Sequence, residues 1–452
     1  MSTDRLDQAI RDVLRGTTPD DPAAPVGIVD RIVRRRRRRN ITRVTGAALG
    51  IAGVTVSAVL VTGGGTHQGT QPPASGTSTA SKLLWRTTLP GGSADWRACT
   101  TASGTVYCQG ARYDALAVNA RTGKVVWKER GKSNDGSSAA ALPGVRDGIL
   151  FGYADHAPGT PSPGTDVVAR DLTSHKVLWQ HKVADDSRDD DSALLFDGGV
   201  LANTPTFKKV AALDDKTGRT LWTYAWKKAD CGRMAIDGVP YLTCSPDSEK
   251  APQTSTVVRL DPATGEARTV ATVKGPTMYV GTDDRTVLLA GVPEGGDSFG
   301  DSGPVTLTRV DTRSGAVTRH RADGFPGGVV ADGIVLGSTQ REGVARTAAD
   351  GRRLWARDLG LTLREDPRVS DVRELASDPA VDLEARVAYY LDPSGNLVGL
   401  DLDSGSVRWR GRVQLPKTEA KGGIRPELIT YGHSLVGQVG DQLFRIEPRP
   451  AS

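Results

Sequence analysis

The sequence predicts an all-β protein, an eight-bladed β-propeller with N- and C-terminal strands closing the ring, preceded by a short helical arm and one transmembrane helix. Three observations carry this. A strand–turn–strand phrase recurs seven times at about the length of one four-stranded blade. The two ends of the repeat region are complementary, one holding a return strand and the other the strands it lacks. Ahead of the repeats, 18 consecutive residues (44–61) carry no charge.

The arm comes first, residues 1–40. Leu6, Ala9, Ile10, Val13 and Leu14 keep the spacing of one helical face. A stretch containing Pro19, Pro22 and Pro25 ends that pattern, and Val26, Val29, Ile32 and Val33 offer a shorter second face. Six arginines follow, 34–39. Positive charge beside a hydrophobic span stays in the cytoplasm and suits anionic lipid. No aromatic residue interleaves the run, which argues against a nucleic-acid patch.

Residues 41–62 then read as the transmembrane helix. They are followed by Gly63-Gly64-Gly65 rather than a small-residue cleavage site. The expected product is a retained, single-pass anchor in the cell membrane, N-terminus cytoplasmic and propeller extracytoplasmic; cleavage is the alternative. Residues 63–82, rich in Gly, Ser, Thr, Gln and Pro, make a flexible linker.

The propeller is assigned to 83–452. Its phrase reads NARTGKVVW at 119–127, DLTSHKVLW at 171–179, DDKTGRTLW at 214–222, DPATGEART at 261–269, DTRSGAVTR at 311–319, a shortened AADGRRLW ending at 355, and DLDSGSVRW at 401–409. Alternating residues mark the strands. The turn glycines are Gly123, Gly218, Gly265, Gly315, Gly351 and Gly405, with His175 in the same slot of the second copy. With Trp85 on an orphan return strand, the anchors Trp85, Trp127, Trp179, Trp222, Trp355 and Trp409, together with Thr269 and Arg319, number eight; their mean spacing is about 46 residues. Strands near 433–439 and 442–446 have no return strand after them, so pairing with 83–85 closes the ring.

Cys99 and Cys108 flank the turn at Ser103-Gly104, and Cys231 and Cys244 flank Asp237-Gly238. Two local pairs outside the membrane predict disulfides Cys99–Cys108 and Cys231–Cys244. Zinc is the rival reading, but no C-x-x-C or paired histidine supports it. The acidic run 185–191 lacks the ligand spacing, turn glycine and closing Glu of a calcium loop and reads as a solvated loop. The six histidines are scattered and read as surface or turn residues. The repeat aspartates Asp171, Asp214, Asp261, Asp311 and Asp401 satisfy turn backbone groups; a catalytic site needs one asymmetric constellation.

Charge is divided unevenly. Residues 1–43 hold 11 Arg and 6 Asp, a net of +5, and the whole chain is also +5. The remainder is formally neutral and gives no reason to expect nucleic acid as a partner. A composition of 38% apolar residues with 53 Gly and 26 Pro suits a large, turn-rich β protein.

The phrase D-x-x-T/S-G-x-x-x-W resembles the pyrroloquinoline-quinone (PQQ) type propeller repeat of quinoprotein dehydrogenases and of the BamB-type scaffold of outer-membrane assembly. The resemblance spans about 83–447 and is specific for fold, not function. It implies that the tryptophans pack between neighbouring blades. Quinoprotein enzymes carry a calcium site, a tryptophan floor and often adjacent cysteines; this chain has no vicinal Cys pair, and Trp96 and Trp226 lie beside the cysteine hairpins. The expectation is a non-catalytic protein-interaction scaffold or ligand-binding module without cofactor or metal. Its partners would be the inner or plasma membrane and an envelope protein or ligand. The candidate contact loops are 131–142, 156–165, 246–254, 293–304 and 358–380. The alternative is a transmembrane sensor whose arm binds a cytoplasmic regulator.

Overall fold

The computed structural model describes residues 82–89, 99–110, 113–130, 142–156, 164–185, 193–206, 208–246, 254–291, 304–323, 328–338, 342–361, 376–415 and 426–448. Contacts divide the chain into Met1–Arg43 and Val44–Ser452, and the described residues all belong to the second unit. The arm, the span and nearly all of the linker lie outside them. No helix among the described residues is long and apolar enough to cross a membrane.

Those residues form eight four-stranded antiparallel sheets. Each is a blade, its strands running in chain order from A, innermost, to D, outermost. Blade 1 shows the pattern: Cys99–Ala102, Thr105–Gly110, Tyr113–Asn119 and Val125–Arg130. Blades 2 to 7 follow over 144–184, 193–225, 229–274, 277–323, 328–358 and 380–412. Blade 8 is composite. Glu427–Tyr431, Ser434–Val439 and Gln442–Glu447 supply A to C, and Lys82–Thr88 returns from the start of the repeat region as D. The register runs from Lys82↔Glu447 to Thr88↔Gln442. The ring therefore closes as the sequence predicts. Lys82 belongs to the closing strand rather than the linker, and Glu427–Tyr431 is a third C-terminal strand that the repeat did not reveal.

The core is divided the same way. Eight apolar clusters occur among the described residues, one at each junction between neighbouring blades. The B and C strands are buried almost throughout, since both faces meet another blade; Ser434–Val439 is buried at every position. The D strands keep a half-exposed pattern. Burial at roughly 25 cal/mol per Å² of apolar surface thus stabilises the junctions, and no blade has a private core.

Both disulfides form. Cys99 and Cys108 sit directly opposite on strands A and B of blade 1, and Cys231 and Cys244 do so in blade 4. No free cysteine remains.

Candidate interaction surface

The repeated turn explains the repeated residues. In Asp214–Gly218 the Asp214 carboxylate accepts hydrogen bonds from the Lys216 N–H, the Thr217 N–H and the Thr217 hydroxyl, the last two at 2.7 Å. The Gly218 N–H donates to the Asp214 carbonyl at 2.8 Å, and glycine takes φ of 67°. Asp171, Asp261, Asp311 and Asp401 repeat these contacts, and Asn119 does so through Oδ1. Hydrogen bonds from the Ser or Thr three residues on hold these carboxyls below the usual range in four of the turns. At Asp401 burial opposes the effect, but bonds from Ser404 and Arg408 outweigh it and the carboxyl falls to about 2. These carboxylates are committed to turns, as the sequence reading holds.

The glycine has a second duty. A Cβ on Gly218 would lie 2.6 Å from the Trp179 indole of the preceding blade. Gly123, Gly265 and Gly405 cover Trp85, Trp222 and Trp355 alike. The same indoles donate their N–H to the turn: Trp85 to the Ala120 carbonyl, Trp179 to Asp215, Trp222 to Pro262 and Trp355 to Leu402, at 2.8–2.9 Å. Each tryptophan thus bolts one blade to the next turn. Gly315 and Gly351, following blades without the tryptophan, instead approach the Val270 carbonyl and the Leu307 side chain.

Strand direction gives the ring two unlike ends. The A–B hairpins and the D-x-x-T/S-G turns share one end; four of the A–B hairpins are two-residue turns with positive φ at both positions, Ser103-Gly104, Asp147-Gly148, Asp237-Gly238 and Asp332-Gly333, while that of blade 7 takes four residues, 383–386. The B–C connections and the crossings between blades share the other end. All five candidate loops open from that second end; nearly all of their residues lie outside the described ones. Both termini of the described ring, Lys82 and Glu447, stand at the tight-turn end.

A polar group at the loop end stands at the stem of 156–165, in blade 2. Asp166, with its side chain 1% exposed, accepts from the His156 imidazole Nδ1 at 2.7 Å and from Gln180 at 3.1 Å. Burial lowers the nearby His181 against the pull of Asp166. The sequence treated His156 as scattered surface; its partner ten residues away across a loop left no local signal. The dyad pins the stem. A shallow recess between blades 8 and 1, lined by Cys99, Glu427, Ile429 and Gln438, has no room for a water molecule, whereas small-ligand sites hold roughly 300–1,000 Å³. Among the described residues no three of His, Cys, Asp or Glu are placed to hold a metal ion.

The profile of a family described as "Outer membrane protein assembly factor BamB" matches residues 50–204 and 206–436. Comparison with curated proteins finds no match. Among solved structures, BamB from Moraxella catarrhalis aligns with a TM-score of 0.53 at 14% identity, covering 81% of this chain and 100% of that one. The computationally designed Ika8 protein aligns at 0.52 and 13%, covering 80% and 98%. A europium-containing methanol dehydrogenase aligns at 0.50 and 13%, covering 79% and 84%. At these identities the likeness is one of fold alone, shared by a designed protein and by an enzyme.

Proposed function

The chain belongs to the family of the outer membrane protein assembly factor BamB, and from that premise we propose that it is a non-catalytic, membrane-attached extracytoplasmic propeller that binds an envelope protein through one end of its ring. One observation carries the reading. The chain reaches the ring at Lys82, on the tight-turn end, whereas the stems of all five long loops lie at the opposite end. A tether arriving at one end leaves the other free, and loops on a rigid scaffold carry recognition. The proposed tether is the uncharged stretch 44–61, which the Gly-, Ser-, Thr-, Gln- and Pro-rich residues 63–81 join to the ring.

In-cell crosslinking with affinity capture tests this, comparing the full chain with one lacking residues 2–30. The same envelope proteins captured by both forms support the scaffold. A cytoplasmic protein captured only when the arm is present would replace it with a transmembrane sensor.

A further inference from the structure

Three consecutive blades carry an exposed cation-led triplet before the tryptophan, Lys124-Val125-Val126 in blade 1, Lys176-Val177-Leu178 in blade 2 and Arg219-Thr220-Leu221 in blade 3, and blade 8 precedes them with exposed Lys82 and Leu83 and a half-buried Leu84. In blades 4 and 5 the residue before the anchor is Arg268 or Thr318, in blade 7 it is Arg408, and in blade 6 Arg352-Arg353 leads a Leu354 that is half-buried against the core. A β-bulge makes the triplet possible. In blades 1, 2 and 3 the register slips at the residue before Trp127, Trp179 and Trp222, and it slips likewise at Leu84 before Trp85. The extra residue breaks the alternation, so in blades 1, 2 and 3 two consecutive side chains turn outward while the indole turns in. Nine large apolar residues are exposed among those described. Six of them, Leu83, Val125, Val126, Val177, Leu178 and Leu221, lie in this arc.

We propose that this arc, on the outer strands of blades 8, 1, 2 and 3, is a seat on an anionic lipid bilayer. Three features point to that occupant. Each aliphatic step is led by an exposed cation, Lys82, Lys124, Lys176 or Arg219, and the nearby carboxylates of Asp171 and Asp214 are engaged inside their turns. Cations flanking half-exposed Leu and Val match headgroup phosphates over an acyl boundary. The arc is continuous, because each outer strand meets the turn of the next blade through its tryptophan. Finally, the chain reaches the ring inside the arc, at Lys82, only 20 residues after the uncharged stretch ends at Val61. The seat rests on the membrane attachment proposed above and adds an orientation: the ring leans on the bilayer by one edge of its tight-turn end.

The test uses the full chain with one added cysteine, Leu178→Cys or Thr318→Cys, carrying an environment-sensitive fluorophore, bound to phosphatidylglycerol-containing vesicles with acyl-chain nitroxide lipids. The seat predicts quenching and a blue shift at 178, neither at 318, and loss of both at 178 in the Lys124→Glu/Lys176→Glu/Arg219→Glu chain or on phosphatidylcholine alone. A chain that floats with the vesicles while 178 and 318 respond alike overturns the seat and leaves the attachment standing. A chain that fails to float overturns both. A blue shift at 178 without vesicles, growing with protein concentration, assigns the arc to a second copy and also overturns the seat.

Discussion

His175 stacks on Trp127 with ring centroids 4.6 Å apart and planes 14° from parallel. It stands where glycine covers the indole in other blades, at φ of 60°, and imidazole replaces the bare glycine backbone as the lid. His175→Ala keeps the strained backbone and removes the ring, so unfolding should become easier by about 0.5–1.5 kcal/mol. The reverse change is worse. Gly218→Ala puts a Cβ against Trp179 at positive φ, and a loss of about 2–4 kcal/mol is expected. Denaturant melts of the two variants check the order.

Trp409 breaks the bolt pattern differently. Blade 8 has no covalent turn between its C and D strands, because these come from opposite ends of the repeat region, and the buried Trp409 indole N–H finds no acceptor among the described residues. Trp355→Phe removes a hydrogen bond and strands the Leu402 carbonyl. Trp409→Phe removes a donor that has no such bond. Trp355→Phe should therefore cost about 1 kcal/mol more than Trp409→Phe, read from paired denaturant midpoints.

The turn carboxylates make stability depend on acid. Asp171, Asp214, Asp261, Asp311 and Asp401 are all lowered in the folded chain. A lowered folded value means that the unfolded chain binds the proton first. The contribution is whole above the ordinary carboxylate range and is lost as pH falls through the folded values, down to about 2 for Asp401. The melting temperature should fall steeply as pH drops from about 4 to 2. Asp311→Asn, which copies Asn119, should flatten that slope while leaving the neutral melt nearly unchanged.

The disulfides join strands that are already paired, with sequence separations of 9 and 13 residues. Short loops place each near the low end of about 2–4 kcal/mol. Reduction should lower the melting temperature without opening the ring, and thiol titration of unfolded, unreduced protein should read zero.

Much of the fold was legible because the turn is chemically demanding. An acceptor at the first position, a hydroxyl at the fourth and glycine at the fifth can be recognised wherever they recur, and Trp179 or Trp409 four residues on fixes the phase. Glu427–Tyr431 was not legible, since an inner strand has no turn residues of its own and no fixed partner in sequence. Nor was the bulge before Trp127, which is a property of pairing. The surface was less legible than the fold. The loops at 131–142 and 358–380 could be located as departures from the repeat, but only strand direction shows that all five share one end. The pairing of His156 with Asp166 depends on register across a loop.

The most direct test of the central claim is site-specific photocrosslinking of the full chain in cells. A photoreactive residue is placed at the exposed positions Asp185 or Lys227 on the loop end, or at Thr173 or Lys216 on the tight-turn end. The account predicts a discrete envelope-protein adduct from the first pair and none from the second. Protein adducts confined to Thr173 and Lys216 would contradict it.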